Sequence, residues 1–386
     1  MIKVQQNILR LNYLLTLYKM TEEDLLLGIS KGLKNPLSIS DIFTSEININ
    51  HLKRIDKIFN KGLHYYLNPK APEKSNEASI FFRKNKFGTD LNIGAKKIVN
   101  HFEELKISIS AISKLAEIQN DRILPVFTIN DDPKYIAKKI RKDLYPEFNS
   151  NQKEFLKGLI SKFAEKNILV FEFVETWNKK EKANIDGFFL NPNVIVLKRQ
   201  QTSFRREIFT LVHELGHFLL NEEEIEELDI SNFANNKLSS IERWCNDFAY
   251  HFLAGEYDSS FEKIQRADSS NDYHFDLIEQ ISQNTHLSKI ALFTKLLYQN
   301  KISQGNYNKI KADFDESFRL RQEEDIKLKE LNKAEGVNMR GSTPKPINSP
   351  LLISTIQTAF YEGVISEYDV CKSLNITPDK IDRFLK

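Results

Sequence analysis

The stretch Phe209–Asn221, FTLVHELGHFLLN, constrains this chain more than any other. Two histidines stand four residues apart in an otherwise apolar run, and a glutamate follows the first. Positions four apart on an α-helix differ by only about 40° in azimuth, so His213 and His217 project from one face. Two neutral imidazoles at that spacing can grip one zinc ion. Glu214 is displaced around the helix, yet near enough to take a proton from water that zinc has acidified to a pKa of about 7. Gly216 lets another element or a substrate approach that turn. Phe209, Leu211, Val212, Leu215, Phe218 and Leu219 call for a buried helix. A core helix with two incidental histidines shares the pattern, so the surrounding sequence has to decide.

A catalytic zinc ordinarily takes three protein ligands and leaves a position for water. Glu242 is the best downstream candidate, because it opens a second expected helix, IERWCNDFAYHFLAG, from which a carboxylate can reach the first. Asn246 lies four residues on and shares its face, suited to a hydrogen bond behind the ligands. The plainer alternatives are a first-turn acid for Glu242 and an exposed helix residue for Asn246. The acids at 222–227 compete by position, but their run reads as a solvated face. Cys245, three residues from Glu242, could complete a structural zinc, although closed sites usually use four protein ligands, often Cys.

RREIFTLVHELGHFLL followed by ERWCNDFAYHFL resembles the ImmA/IrrE family of zinc metallopeptidases. Its members show an Arg and Phe-Thr ahead of HELGH, then a helix with Glu-x-x-Ala-Asn-x-Phe-Ala; here Cys245 replaces the small Ala. NILVFEF, IDGFF and NVIVLKRQQTSFRR resemble the family's small sheet, and HLSKIALFTKLLYQNKIS its downstream helix. The similarity runs from about 150 to 305. One departure is FLAG at 252–255, where members often have Leu-Met-Pro. The resemblance implies His213, His217 and Glu242 as ligands of Zn2+ and Glu214 as general base. It also implies hydrolysis of a peptide bond, with the substrate chain paired against an edge strand, in a regulatory protein of repressor or antitoxin type. An oxyanion stabiliser is needed too; Tyr250, His251 and His274 are available, and the sequence does not choose among them. His251 falls on roughly the opposite helix face from Glu242.

The expected fold is α+β and predominantly helical: a zincin-like metallopeptidase core with a small β-sheet and an HExxH helix, flanked by helical N- and C-terminal units. The expected segments are a degenerate helix-turn-helix-like domain (1–75), a helical linker region (76–147), the metallopeptidase domain (148–305), a charged helix and linker (306–349), and a small helical unit (350–386). Residues 91–143 read as helical with a break near Leu124-Pro125. ILVFEFVE, IDGFFL and NVIVLKR read as strands, the last two separated by Asn191-Pro192.

The N-terminal rhythm is similar to the DNA-binding unit that many family members carry, but its usual Gln and small Ala are missing. SIFFRKNKF (79–87) resembles the segment between the two units of fused members. Residues 1–110 hold 17 basic against 11 acidic side chains, enough for modest phosphate contacts and equally ordinary for a protein surface. The alternative function is therefore a DNA-binding transcriptional regulator or antitoxin whose metallopeptidase-like domain serves as sensor or partner platform. Across the 386 residues, 55 basic and 53 acidic side chains nearly cancel, so no global field points to nucleic acid or an anionic membrane. Two cysteines make no disulfide framework, no apolar run approaches the ~20 residues that span a bilayer, and the N-terminus does not read as a signal peptide. A cytoplasmic protein is expected.

Overall fold

The computed structural model describes residues 2–18, 20–59, 61–72, 91–175, 182–199, 203–224, 239–267, 274–334 and 345–385. The segment 79–87, the acids at 226 and 227, and residues 336–344 of the second expected linker lie outside the described residues. Among the described residues no helix is long and apolar enough to cross a membrane. The chain divides into two compact units, the first reaching Glu104 and the second continuing from Leu105.

In the first unit, β1 (Lys3–Gln5) pairs antiparallel with β2 (Glu46–Asn48), placing Val4 opposite Ile47. Helices follow at Ile8–Leu17, Glu22–Ser30, Ile39–Ile42, Ile49–Phe59 and Leu63–Leu67. Thr21 and Asp24 close a capping box on the second helix, which fixes its start. Leu11, Leu14, Leu25, Ile29, Leu52 and Ile55 form the buried interior. The strand pair departs from the all-helical expectation, since three-residue strands carry almost no periodicity to read.

The second unit is built around a three-stranded sheet in the order β3-β5-β4. β3 (Leu169–Val174) lies parallel to β5 (Val194–Arg199), and β4 (Gly187–Leu190) pairs antiparallel with β5, Phe188 facing Val196. β4 is therefore an edge strand. Helix Gln152–Ala164, which leads into β3, buries Phe155, Leu156, Leu159, Ile160 and Phe163 on one side. Against the sheet lies helix Phe204–Leu220, the histidine helix, and against that lies helix Ser240–Ala254, the glutamate helix. Helix Pro133–Leu144 covers the glutamate helix with Ile136, Ala137, Ile140 and Leu144.

The break expected at Leu124-Pro125 is wider than a kink. Helix Ile93–Leu115 ends early, and residues 118–132 contain neither helix nor strand. Towards the C-terminus, helices Phe275–Thr285 and Lys289–Tyr298 precede the charged helix Gln304–Ala334, anchored by buried Tyr307 and Ile310. Helix Pro350–Tyr361 packs on Gln152–Ala164 and β3, and stops before Gly363, whose φ is +71°.

A buried ion triad joins sheet and histidine helix. Arg199 on β5 is 1% exposed; its Nη1 lies 2.5 Å from Glu172 on β3, and its Nε lies 2.8 Å from Glu207 in the first helical turn. Removing one member of such a cluster leaves uncompensated buried charge. Arg199→Ala should therefore lower stability by about 3–5 kcal/mol, read as a shift in the urea midpoint.

His286 supplies a pH-dependent test. It is 1% exposed, stacked on Phe148 with ring centres 4.9 Å apart, and its Nε2 lies 2.8 Å from the Asn149 carbonyl oxygen. Burial lowers its pKa; the Asn149 hydrogen bond opposes this, and the Arg205 charge adds to the lowering. The folded state thus binds this proton less readily than the unfolded chain. Stability from neutral His286 is present above the ordinary value of about 6.5 and is lost as pH falls below it. His286→Asn should show a shallower drop in thermal midpoint between about pH 7 and 5, whereas an unchanged slope would assign the acid sensitivity elsewhere.

Candidate metal centre

The histidine helix starts at Ser203, whose side chain accepts from Arg206 N, and ends at Asn221 in the left-handed region, φ +56°. Every residue from Thr210 to Leu220 is buried, as the apolar flanks require. The glutamate helix starts at Ser239, whose Oγ accepts from Glu242 N at 3.1 Å and donates to Glu224 at 3.0 Å. Glu242 therefore sits in the first turn, held by its cap and aimed across the helix pair.

His213, His217 and Glu242 meet at one point. Their nearest atoms form a small triangle: His213 Nε2 to Glu242 Oε2 is 3.2 Å, His217 Nε2 to Glu242 Oε1 is 3.1 Å, and the two Nε2 atoms are 3.1 Å apart. Tetrahedral zinc with bonds of ~2.0–2.1 Å requires neighbouring donor atoms about 3.3 Å apart, so the donor set and its spacing fit that ion. All three side chains are buried, and among the described residues this is the only such group of potential metal ligands.

Charge reinforces the fit. Burial works against ionising Glu242, yet His213 and His217 outweigh it and hold this carboxyl well below the usual range. Burial likewise disfavours protonated His217, and neighbouring Glu242 overrides that to raise its pKa. An ionised carboxylate facing two imidazole nitrogens in a buried pocket calls for positive charge. A proton or a metal ion can supply it.

Glu214 lies beside this group, 4% exposed, with Oε2 lacking any hydrogen-bond partner. Burial pushes its pKa up to about 8; His217 opposes that rise, while Glu242 and Asp186 add to it. Edge strand β4 reaches the same place. A Cβ on Gly187 would lie 2.8 Å from Thr210 Cγ2 and 3.1 Å from Glu214 Cγ, so only glycine lets the strand approach so closely.

The remaining expected site residues separate. Asn246 lies one turn beyond Glu242 and is buried, with its Oδ1 unpartnered; the Nδ1 atoms of His213 and His217 are unpartnered as well. Glu223 and Glu224 are tied to Asn191 N and Ser239 Oγ instead of the histidines. Cys245 does not join the ligand group; it packs on Gly216, and burial raises its thiol pKa further. Tyr250 packs on Phe261 and under Lys295, His251 pairs with Asp258 at 3.0 Å, and His274 stands at the position just before helix Phe275–Thr285. Tyr250 and His251 are thus engaged away from the triangle. Sequence reasoning missed Gly187, whose only signal was a glycine inside a strand pattern.

The two helices touch at Gly216, where a Cβ would lie 3.1 Å from Cys245 Cα, Cβ and Sγ. Gly216→Ala has to push the helices apart, moving Glu242 from the histidines. We expect it to cost about 1–3 kcal/mol of stability and to weaken zinc binding at least tenfold by chelator competition. Unchanged affinity would mean that the helix pair absorbs the methyl elsewhere.

Residues 164–256 match a family model described as Peptidase M78, IrrE N-terminal-like domain. No curated protein and no solved structure matches the chain. The matched span holds β3, β4 and β5, the histidine helix and the glutamate helix, and thus every residue of the triangle and Glu214. By sequence match and by the site that it encloses, the domain at 164–256 belongs to the Peptidase M78 metallopeptidase family.

Proposed function

We propose that the protein is a zinc-dependent metalloendopeptidase that cleaves a regulatory protein of repressor or antitoxin type. The observation that carries this reading is Glu214: a buried carboxylate with an unpartnered oxygen, placed beside two imidazoles and a second carboxylate. A binding platform or a structural metal site has no physical need for that group, whereas hydrolysis requires a base there.

His213, His217 and Glu242 would hold the zinc. When bound, zinc supplies a Lewis acid that polarises a peptide carbonyl and acidifies water. Glu214 takes the proton of the attacking water on its carboxylate and passes it to the leaving amine nitrogen. An extended substrate segment added to the outer edge of β4 would run past Gly187 and so past Glu214. The choice of a regulatory protein as substrate rests on family resemblance.

The rival reading, a DNA-binding regulator, needs a helix able to enter a groove. The helix that follows Glu22–Ser30 is the single turn Ile39–Ile42, and Arg54 on the next helix is engaged by the Ile29 and Lys31 carbonyls. These features favour the enzyme.

Metal analysis of the purified chain should find about one zinc, and the His213→Ala/His217→Ala double variant should lose it; zinc kept by that variant would remove the site. Glu214→Gln should retain zinc while abolishing cleavage of proteins encoded beside its gene, tested by co-expression. Cleavage that survives the substitution would reassign the base. Intact neighbours together with retarded promoter DNA would favour the regulator.

A further inference from the structure

Residues 118–132 form a strap without regular structure that connects the two ligand-bearing helices. At one end it is fastened to the last turn of the histidine helix. Phe127 N donates to Leu219 O at 2.9 Å, and the Arg122 guanidinium lies 3.8 Å over the Phe218 ring with Nη1 3.4 Å from Asn221 Oδ1. At the other end it is fastened to the glutamate helix, where the Trp244 indole N–H donates to Asp131 O at 2.8 Å. These anchors stand close to the ligands: Leu219 is two residues beyond His217, and Trp244 is two beyond Glu242.

The strap is stiff where it must carry this connection. Asp131 Oδ2 accepts from Thr128 N at 2.7 Å and from Thr128 Oγ1 at 3.0 Å, while Asp131 N donates to Thr128 O at 3.0 Å. That closed turn fixes the carbonyl that Trp244 grips. Pro125 keeps the segment out of a helix, and Leu124 and Phe127 sink into the core. The Trp244 ring lies stacked on Phe248, with ring centres 5.4 Å apart and planes 4° apart. A phenylalanine could make that stack, so the indole N–H adds the one function that a plain core residue would lack.

The two helices pack along one another and come closest at Gly216 and Cys245. A second tie, displaced from that contact, sets the angle. Metal sites tolerate only about ±0.2 Å in ligand distance, so the angle decides whether Glu242 reaches the histidines. We propose that the strap 118–132 is a brace that presets the zinc triangle, with Trp244 acting as the positioning residue for Glu242. The proposal rests on the zinc reading above.

The test is zinc affinity by chelator competition on the full chain, measured for wild type, Trp244→Phe, Asp131→Ala and the double variant, beside the thermal midpoint of each metal-free protein. Each single substitution should weaken zinc binding about tenfold, as loss of outer positioning contacts does. The double should be little weaker than either single, because both cut the same tie, and the metal-free midpoints should stay close to wild type. Unchanged affinity in the singles overturns the brace. A double variant weakened about a hundredfold would mean two independent effects and overturns it as well. A metal-free midpoint that falls along with the affinity would make Trp244 an ordinary core residue. If the wild type itself takes up no zinc, the metal reading falls and the brace with it; retained wild-type binding with indifferent variants removes the brace alone.

Discussion

Gly216 sits so close to Cys245 that the space a side chain would fill is already taken by the neighbouring helix, and the site follows from that contact. His213 and His217 flank Gly216 on one helix, and Glu242 lies one turn before Cys245 on the other. Bringing the helix axes together at the glycine brings a carboxylate within 3.2 Å of two imidazoles. In an apolar interior that arrangement is unfavourable unless positive charge joins it, because a buried carboxylate is costly without a partner. Packing and electrostatics therefore pull in opposite directions, and a proton or a metal ion would reconcile them.

The histidine helix is held along its length by different forces. Its first turn is fixed by charge, through Glu207, Arg199 and Glu172. Its middle is fixed by shape, where Gly187 admits Thr210 and Glu214 against the edge strand. Its last turn is fixed by hydrogen bonding to the strap at Leu219. Glu172 also accepts from Asn348 N at 2.8 Å, so the ion triad reaches the segment leading into helix Pro350–Tyr361. That helix packs along β3, the sheet edge away from β4. Of the two edges, β4 is the one whose first residue lies against Glu214.

Much of this could be read from the sequence, for physical reasons. Histidines four apart in an apolar run dictate one helical face, and β-branched runs such as VIVL next to FFL dictate buried strands. Glu242 was legible because a helix start restricts where its side chain can point. The strand pair β1–β2 was not legible, being three residues on each side with no alternation to detect. The strap shows in the sequence only as a break near Leu124-Pro125, because Pro125 marks an interruption without giving its length. What keeps the segment extended is its bonding to Leu219 and Trp244, which are distant in sequence. Gly187 and the Arg199 triad were missed for the same reason: each matters through a residue from another element.

The two departures from the family pattern can be understood at the level of packing. Cys245 stands where a small Ala is usual, and its thiol fills the groove above Gly216, so the extra atom is accommodated by the glycine already required there. FLAG replaces a proline-containing helix end. Here the glutamate helix stops at Gly255, φ +55°, and Arg141 donates to the carbonyls of Phe252 and Leu253. A Cβ on Gly255 would fall 2.7 Å from the Arg141 guanidinium, so the glycine both ends the helix and admits the group that satisfies its last carbonyls. Termination by glycine and arginine does what a proline does by lacking an N–H. It does so more than three turns from Glu242, at the far end of a helix whose first turn is set by Ser239 and Trp244. Sequence change at that end can therefore accumulate without disturbing Glu242.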